Sequence, residues 1–290
     1  MKMNKFIIYA DSACDIANEI LAGWGVKRCE LSLMFSDSEK EYLNNEINPV
    51  DFYNEMRAGK TAKTSAVNTQ TFMDVFEEEL KAGNDVVYVA FSSGLSTTYN
   101  SGVAAAAELM EKYPERKVLV VDTLAASAGY GMLVYLAARE QRKGATPEKI
   151  VEFVENIRLK IAHWFTVADL VYLKRGGRVS PTVAFVGGVL GIKPILHVDN
   201  EGHLISMSKV RGRRAAIAEL ANKFGETADK GAVQTVYISH GDCIDDANTL
   251  ADILKKDYGV NVEITTFVGP VIGAHSGPGT LALFFIANER

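Results

Sequence analysis

Cysteine is scarce. Over 290 residues there are only Cys14, Cys29 and Cys243, odd in number, far apart and without a C-x-x-C pair. That pattern argues against a disulfide framework and a structural zinc site, and it predicts a reduced, cytoplasmic protein. Long apolar runs are also missing. The N-terminal run Phe6–Ala10 is too short for the apolar region of a signal peptide. The longest other stretch, Val183–Ile192, stops at Lys193, well short of the ~20 residues that span a bilayer. Stable membrane insertion is therefore not expected. Positive charge is not in excess either: 31 Lys and Arg against 36 Asp and Glu leave a net charge of −5. Such a chain lacks the field that attracts nucleic acid or an anionic membrane. Glycine (24) and proline (7) are scattered without a period, which excludes a collagen-like or low-complexity chain. His163, His197, His203 and His240 show no metal-ligand spacing, so no metal is expected.

The composition that is present, 48% hydrophobic and 23% charged, is that of a globular protein rather than a disordered one. At roughly 150 residues per domain the length fits two domains. Phe6–Ala10, Val26–Leu33, Asp85–Phe91, Lys117–Val121 and His163–Val167 read as strands, several of them apolar on both faces, as in a parallel sheet covered by helices. Between them, Thr69–Lys81 carries Phe72, Val75, Phe76 and Leu80 on one helical face, with Asn68 placed as its cap. Ser127–Arg139 reads as a buried helix, and Thr146-Pro147-Glu148 as a helix start. The alternation argues for an α/β fold. The pattern changes near residue 169, which divides the chain into domains 1–167 and 168–290. In the second, Pro194–Val198 and Leu204–Met207 read as a hairpin around Asp199-Asn200-Glu201-Gly202. A helix (about 211–224), a strand (Val233–Ser239), a helix (Ile244–Asp257) and strands at Val260–Thr266 and Leu281–Ile286 follow.

Four polar loops lie beside predicted strands, where open α/β sheets bind ligands. Asp11-Ser12-Ala13-Cys14-Asp15 reads first as a helix cap. Lys63-Thr64-Ser65-Ala66 offers hydroxyls to an anion but is also ordinary turn chemistry. Phe91-Ser92-Ser93-Gly94-Leu95-Ser96 runs from a strand into a helix and reads evenly as an anion cradle or a cap. It is neither a P-loop nor a G-x-S-x-G elbow, since Phe91 stands where the first glycine belongs. Gly269–Gly279, a glycine- and proline-rich loop, frames His275 and Ser276 where backbone can approach a ligand closely. Two basic clusters, Lys174, Arg175 and Arg178, and Lys209, Arg211, Arg213 and Arg214, read as solvated faces or as contacts to phosphate or an acidic partner.

Taken in order, these segments resemble the DegV family of bacterial fatty-acid-binding proteins over essentially the whole chain. The likeness rests on Asp11-Ser12-x-x-Asp15, Lys63-Thr64-Ser65, Ser92-Ser93-Gly94-Leu95-Ser96 and Val121-Asp122-Thr123. It continues through Leu173-Lys174-Arg175-Gly176-Gly177-Arg178, Ile192-Lys193-Pro194-Ile195-Leu196, Lys209-Val210-Arg211 and Gly273-Ala274-His275-Ser276-Gly277-Pro278-Gly279. Two places depart from the family pattern: Ala66-Val67-Asn68, where Gln-Pro-Ser is common, and Thr97, where glycine is usual.

The resemblance implies two α/β domains, a three-layer α/β/α domain with a parallel sheet and a two-layer domain with a mixed sheet. The last segment packs back at the cleft, and one long-chain fatty acid sits between the domains. It implies a non-enzymatic subunit without a cofactor that presents the acyl carboxylate to a separate ATP-dependent fatty-acid kinase subunit. The implied carboxylate site is Thr64, Ser65, Ser93, His275 and Ser276, with Arg175 near the head group. Phe185, Val186, Val189, Leu190 and Ile192 are candidates for the tail tunnel, and Arg211, Arg213 and Arg214 for the kinase contact. Two other readings stand beside it: a serine hydrolase using Ser93 and His275, and a subunit that binds a short, dihydroxyacetone-like kinase substrate.

Overall fold

The structure, a computed structural model, describes residues 5–179 and 191–290. The chain opens with β1 (Phe6–Asp11), one 3-10 turn over Ser12–Cys14, α1 (Asn18–Trp24) and β2 (Val26–Cys29). An excursion follows: β3 (Ser32–Phe35), β4 (Glu41–Leu43), α2 (Pro49–Arg57) and β5 (Ala62–Ser65). Then come α3 (Thr69–Lys81), β6 (Asp85–Ala90), α4 (Thr98–Lys112), β7 (Val118–Asp122), α5 (Ser127–Arg142) and α6 (Pro147–Ile157). The second half runs β8 (Ile161–Thr166), α7 (Val171–Gly176), β9 (Ile192–Val198), β10 (Leu204–Arg211), α8 (Arg213–Thr227) and β11 (Tyr237–His240). It ends with α9 (Ile244–Tyr258), β12 (Ile264–Phe267), α10 (Pro270–Ser276) and β13 (Leu281–Ile286). No helix among the described residues is long and apolar enough to cross a membrane.

Three sheets result. The first, in the order β2-β1-β6-β7, is parallel throughout. β6 is buried along its whole length, as its unbroken apolar run requires. Helices α3 and α4 cover one side and α6, packed on α5, the other, which gives the three-layer domain. The second sheet, β10-β9-β8-β13-β11-β12, is mixed. Its strands alternate strictly: Trp164, Leu283 and Phe285 join the core under α8 and α9, while Phe165 and Phe284 join the core shared with the first domain. The third sheet, β4-β3-β5, is a small antiparallel one.

Local signals explain the helix ends. Asn68 Oδ1 accepts from Thr71 N–H at 2.9 Å at the start of α3, and Thr146 Oγ1 from Lys149 N–H at 3.4 Å at the start of α6.

Three expectations change. Val26–Leu33 is not one strand: β2 ends at Cys29, Leu31 N–H donates to Ser12 Oγ at 2.9 Å, and β3 begins in a different sheet. His163–Val167 is a strand, but β8 pairs antiparallel with β13 and β9 in the mixed sheet. A run apolar on both faces reads the same in either setting, and only its partners tell them apart. We therefore propose that the domains divide in the turn before β8 rather than at 167/168. Finally, Gly269–Gly279 is not all loop, because Pro270–Ser276 forms α10. Pro270 sits at its first turn, and the freed N–H groups of Gly269 and Val271 donate to Asp15 Oδ1 and Asn44 Oδ1, both at 3.0 Å. Gly273 is needed for packing, since a Cβ there would stand 2.5 Å from the Tyr53 hydroxyl.

Candidate functional site

In the parallel sheet β1 and β6 are neighbours, yet β1 leads through α1 to β2 on one side and β6 leads through α4 to β7 on the other. Strand order reverses between them, and the carboxyl ends of strands at such a point form a crevice. The inner face of the mixed sheet closes over that crevice. A cavity of about 510 Å³ lies between the two, within the roughly 300–1,000 Å³ range of small-molecule sites. Phe91 from the first domain and Phe165, Val198, Leu204, Ala282 and Phe284 from the second line its apolar walls.

Thr64, Ser65, Ser93, His275 and Ser276, brought from β5, the loop after β6 and α10, all line this cavity. Thr64 Oγ1 lies 2.8 Å from His275 Nε2. His275 Nδ1 is buried with no hydrogen-bond partner among the described residues and packs directly over Gly176, where any Cβ would collide with it. A proton on Nδ1 would be stranded there. The better tautomer puts the proton on Nε2, donating to Thr64 Oγ1 and freeing the Thr64 hydroxyl to donate into the cavity. Burial, and then the nearby Arg178 guanidinium, hold the imidazole down to about 4, so it is neutral at physiological pH. Ser276 Oγ is a second buried polar atom without a partner among the described residues. Ser65 and Ser93 are exposed at the mouth.

The loop after β6 is held by backbone proximity. Ser92 Oγ donates to Gly202 O at 2.9 Å, and a Cβ on Gly94 would stand 2.8 Å from Glu201 O, so the β9–β10 hairpin tip sits directly on the Ser92–Gly94 turn. Thr97, at one of the two departures from the family pattern, also lines the cavity.

Further in, the wall is polar but satisfied. Ser127, at φ 53°, donates to Asp15 Oδ2 at 2.6 Å, and its Oγ lies 2.9 Å from Ser239 Oγ. Burial pushes the Asp15 carboxyl up to about 7. Asp11 is fully buried and accepts from Tyr88 OH (2.6 Å), Phe91 N–H (3.1 Å) and Ala13 N–H (3.0 Å); burial still raises it to about 6. His163 lines the cavity with Nδ1 2.9 Å from Ile161 O, and burial drives its pKa well down.

Some expected residues lie elsewhere. Arg175 is exposed, stacks over Tyr172 at 5.8 Å and does not line the cavity. Arg178 does line it. Gly177, at φ 67°, ends α7 and turns the chain back, so that Arg178 Nε donates to Leu95 O at 3.2 Å. Phe185, Val186, Val189 and Leu190 lie outside the described residues. Ile192 pairs with Arg211 at the start of β9 and is not part of the wall. Arg211 and Arg214 are exposed, but Arg213 is taken by Asp246, Nε to Oδ2 at 2.9 Å. Ser127, Ser239 and His163 carried no motif that would have marked them. Their shared signal is position, on inward-facing sites of β8 and β11 or at the start of α5.

Comparison with known proteins agrees with this architecture. A family model described as "Uncharacterised protein, DegV family" matches residues 5–288. A DegV domain-containing protein of Clostridium perfringens is 40% identical over 291 residues, covering 99% of each chain. A solved structure described as fatty acid binding of a DegV family protein from Thermus thermophilus superposes with TM-score 0.86 at 29% identity, covering 98% of this chain and 99% of that one. DegV from Bacillus subtilis, described as a fatty acid binding protein, superposes with TM-score 0.85 at 28% identity, covering 99% and 100%.

Proposed function

This chain belongs to the DegV family, and we propose that its interdomain cavity holds one long-chain fatty acid for presentation to a separate ATP-dependent fatty-acid kinase subunit. The observation that carries the reading is the meeting of hydroxyl donors, Thr64 Oγ1 held by His275 Nε2 and the buried Ser276 Oγ with no partner among the described residues, with an apolar cavity at the domain junction. Relatives of similar fold and length are described as fatty acid binding proteins.

A fatty acid makes two demands. Its carboxylate must keep hydrogen-bond donors as it leaves water, or burial costs several kcal/mol. The hydroxyls of Thr64, Ser65, Ser93 and Ser276 supply donors, and Arg178 supplies a cation at the mouth. His275 acts through Thr64, fixing which way that hydroxyl points. The tail needs apolar wall, and ~14 methylenes at about 0.8 kcal/mol each gain on the order of 10 kcal/mol before ordering costs. Phe91, Phe165, Val198, Leu204, Ala282 and Phe284 provide it. Exposed Arg211 and Arg214 offer a contact for an acidic face of the kinase, and Arg213, held by Asp246, positions the start of α8 beside them.

The site argues against the hydrolase. Among the described residues His275 has no carboxylate to orient it; it is held near 4, and its Nε2 bonds Thr64 rather than Ser93. The apolar extent of the cavity exceeds what a three-carbon substrate would fill.

The test is a titration of delipidated protein with palmitate and oleate, followed by addition of a fatty-acid kinase subunit with ATP. Saturation at one ligand per chain and acyl-phosphate formation are expected. Absence of binding would overturn the reading, and binding without acyl-phosphate would overturn the kinase role.

A further inference from the structure

The partly buried Arg290 guanidinium meets main-chain carbonyls from four separate segments. Nη1 donates to Leu124 O at 2.6 Å and to Asp199 O at 3.2 Å, Nη2 to Arg158 O at 2.6 Å, and Nε to Ile161 O at 3.3 Å. Burial lowers its pKa to about 10, so it stays charged at neutral pH. Bonds from a charged donor are stronger than neutral ones, and the planar fork of arginine lets one side chain hold several acceptors at once.

Two of these carbonyls belong to the rim of the acyl cavity. Leu124 lies in the β7–α5 loop just before Ala126 and Ser127 of the wall, and Asp199 follows the wall residue Val198 at the tip of the β9–β10 hairpin. The two segments touch. Gly202, at φ 81°, packs so tightly that a Cβ there would stand 2.2 Å from Ser92 Oγ and 3.2 Å from Leu124 Cα. Leu124 itself stands at φ 51°, a left-handed conformation that is costly for leucine. Its main-chain bonds offset that cost. The Leu124 N–H donates to Asp122 Oδ1 at 2.9 Å, and the Leu124 carbonyl accepts from Arg290. Asp122 Oδ1 also accepts from Ser93 N–H at 3.2 Å, and Arg158 Nη1 donates to Asp122 O at 2.7 Å. One connected set of bonds thus runs from Arg290 to the main chain of Ser93.

We infer that Arg290 is a positioning residue for the acyl site. It latches the hairpin tip and the β7–α5 loop over the Ser92–Gly94 turn, and so sets how fast a bound lipid exchanges. The inference rests on the fatty-acid reading of the cavity. Val198 and Leu204 wall the cavity from either side of the hairpin loop, so lifting the tip widens it. Without the guanidinium, the Asp199 and Leu124 carbonyls lose their common donor and Leu124 loses a bond that offsets its strain. The Ser92 hydroxyl, donating to Gly202 O at 2.9 Å, is then left to hold the tip.

The experiment times the release of palmitate from loaded protein into an excess of phosphatidylcholine vesicles. Arg290→Ala should release at least about tenfold faster than the parent, as expected for lost bonds from a charged donor. Arg290→Lys should fall between them, because an ammonium keeps the charge but not the fork. Gly202→Ala pushes the same tip off Ser92 and should speed release on its own. If both act through the tip, the double variant is no faster than the faster single one. Hydrogen–deuterium exchange of the lipid-free proteins gives a second readout. Amides of 199–203 and 92–96 should exchange at least about tenfold faster in Arg290→Ala, with β6 and β13 unchanged. Unchanged release in Arg290→Ala would overturn the latch. So would effects of the two substitutions that multiply, or faster exchange spread over β6 and β13, the mark of a general loss of stability. A parent that binds no palmitate would overturn the fatty-acid reading instead. Exchange confined to 199–203 and 92–96 would then still support the latch, and unchanged exchange there would overturn it.

Discussion

Two buried polar clusters flank α10, and they differ in how their hydrogen bonds are spent. At its N-terminal end Asp15 uses both carboxylate oxygens, on Gly269 N–H and Ser127 OH, and Asp11 behind it is bonded on both oxygens as well. At its C-terminal end Ser276 Oγ is buried with no partner among the described residues, and Thr64 Oγ1, held by His275 Nε2, is left free to donate. A satisfied cluster offsets its desolvation and ties the domains together, whereas an unsatisfied one costs about 1–3 kcal/mol per group. A fold retains such a cost where something outside the chain relieves it. The Asp11-x-x-x-Asp15 motif is therefore architecture, and we propose the Thr64–His275–Ser276 group as the place where a ligand is read.

Breaking the first cluster should show in stability. Asp15→Ala strands the Gly269 N–H and the Ser127 hydroxyl in a buried site, and the folded state should lose about 2–4 kcal/mol in chemical denaturation. Breaking the second should show in affinity instead. Gly176→Ala drives a Cβ into His275 and forces the ring off Thr64. Fatty-acid binding should weaken by about 1–3 kcal/mol, roughly 5- to 150-fold, and His275→Ala should match it. A Gly176→Ala protein with unchanged affinity would remove His275 from the site.

The two ends also respond differently to pH. Burial raises Asp15 from 3.8 to about 7, so its charged form is the costly one. That contribution to stability is whole at pH values below about 4 and is lost as pH rises through about 7. Asp15→Asn cannot titrate, so on acidification between those limits the parent should gain on the order of 4 kcal/mol relative to the variant. His275, held down to about 4, stays neutral above about 6, and fatty-acid affinity should be flat from there to pH 8. A step in affinity near the ordinary histidine value of 6.5 would show that the ring titrates in the site. The smallest effect belongs to Ser93→Ala. Ser93 is exposed at the mouth, where water competes for its bonds, so about 1 kcal/mol of binding should be lost, measured by the same titration.

The difference between the clusters bears on what can be read from the residues alone. Strands such as β6 and capped helices such as α3 are legible because apolar periodicity and cap chemistry are local. The partner of a strand is not local, so the residues of β8 do not show that it belongs to the mixed sheet: a run buried on both faces carries no mark of its neighbours. Helix α10 was hidden because its glycines, read as loop formers, serve close packing against Tyr53. The hydroxyls proposed for the head group are legible in their loops and in the family resemblance. The resemblance points to Arg175, and Arg178 stands in the same basic run. Only the left-handed turn at Gly177 decides which one faces the cavity. Whether a buried polar group is satisfied depends on residues as far apart as Asp15 and Gly269, so the contrast at the two ends of α10 is visible only in three dimensions.

The central claim is that the unsatisfied end of α10 and the apolar cavity beside it belong to one bound lipid. Native mass spectrometry of the freshly purified protein, followed by denaturation and identification of what is released, tests it most directly. The account predicts one long-chain fatty acid per chain, or stoichiometric uptake of added palmitate by the delipidated protein. A protein that carries no lipid and takes up none would contradict it.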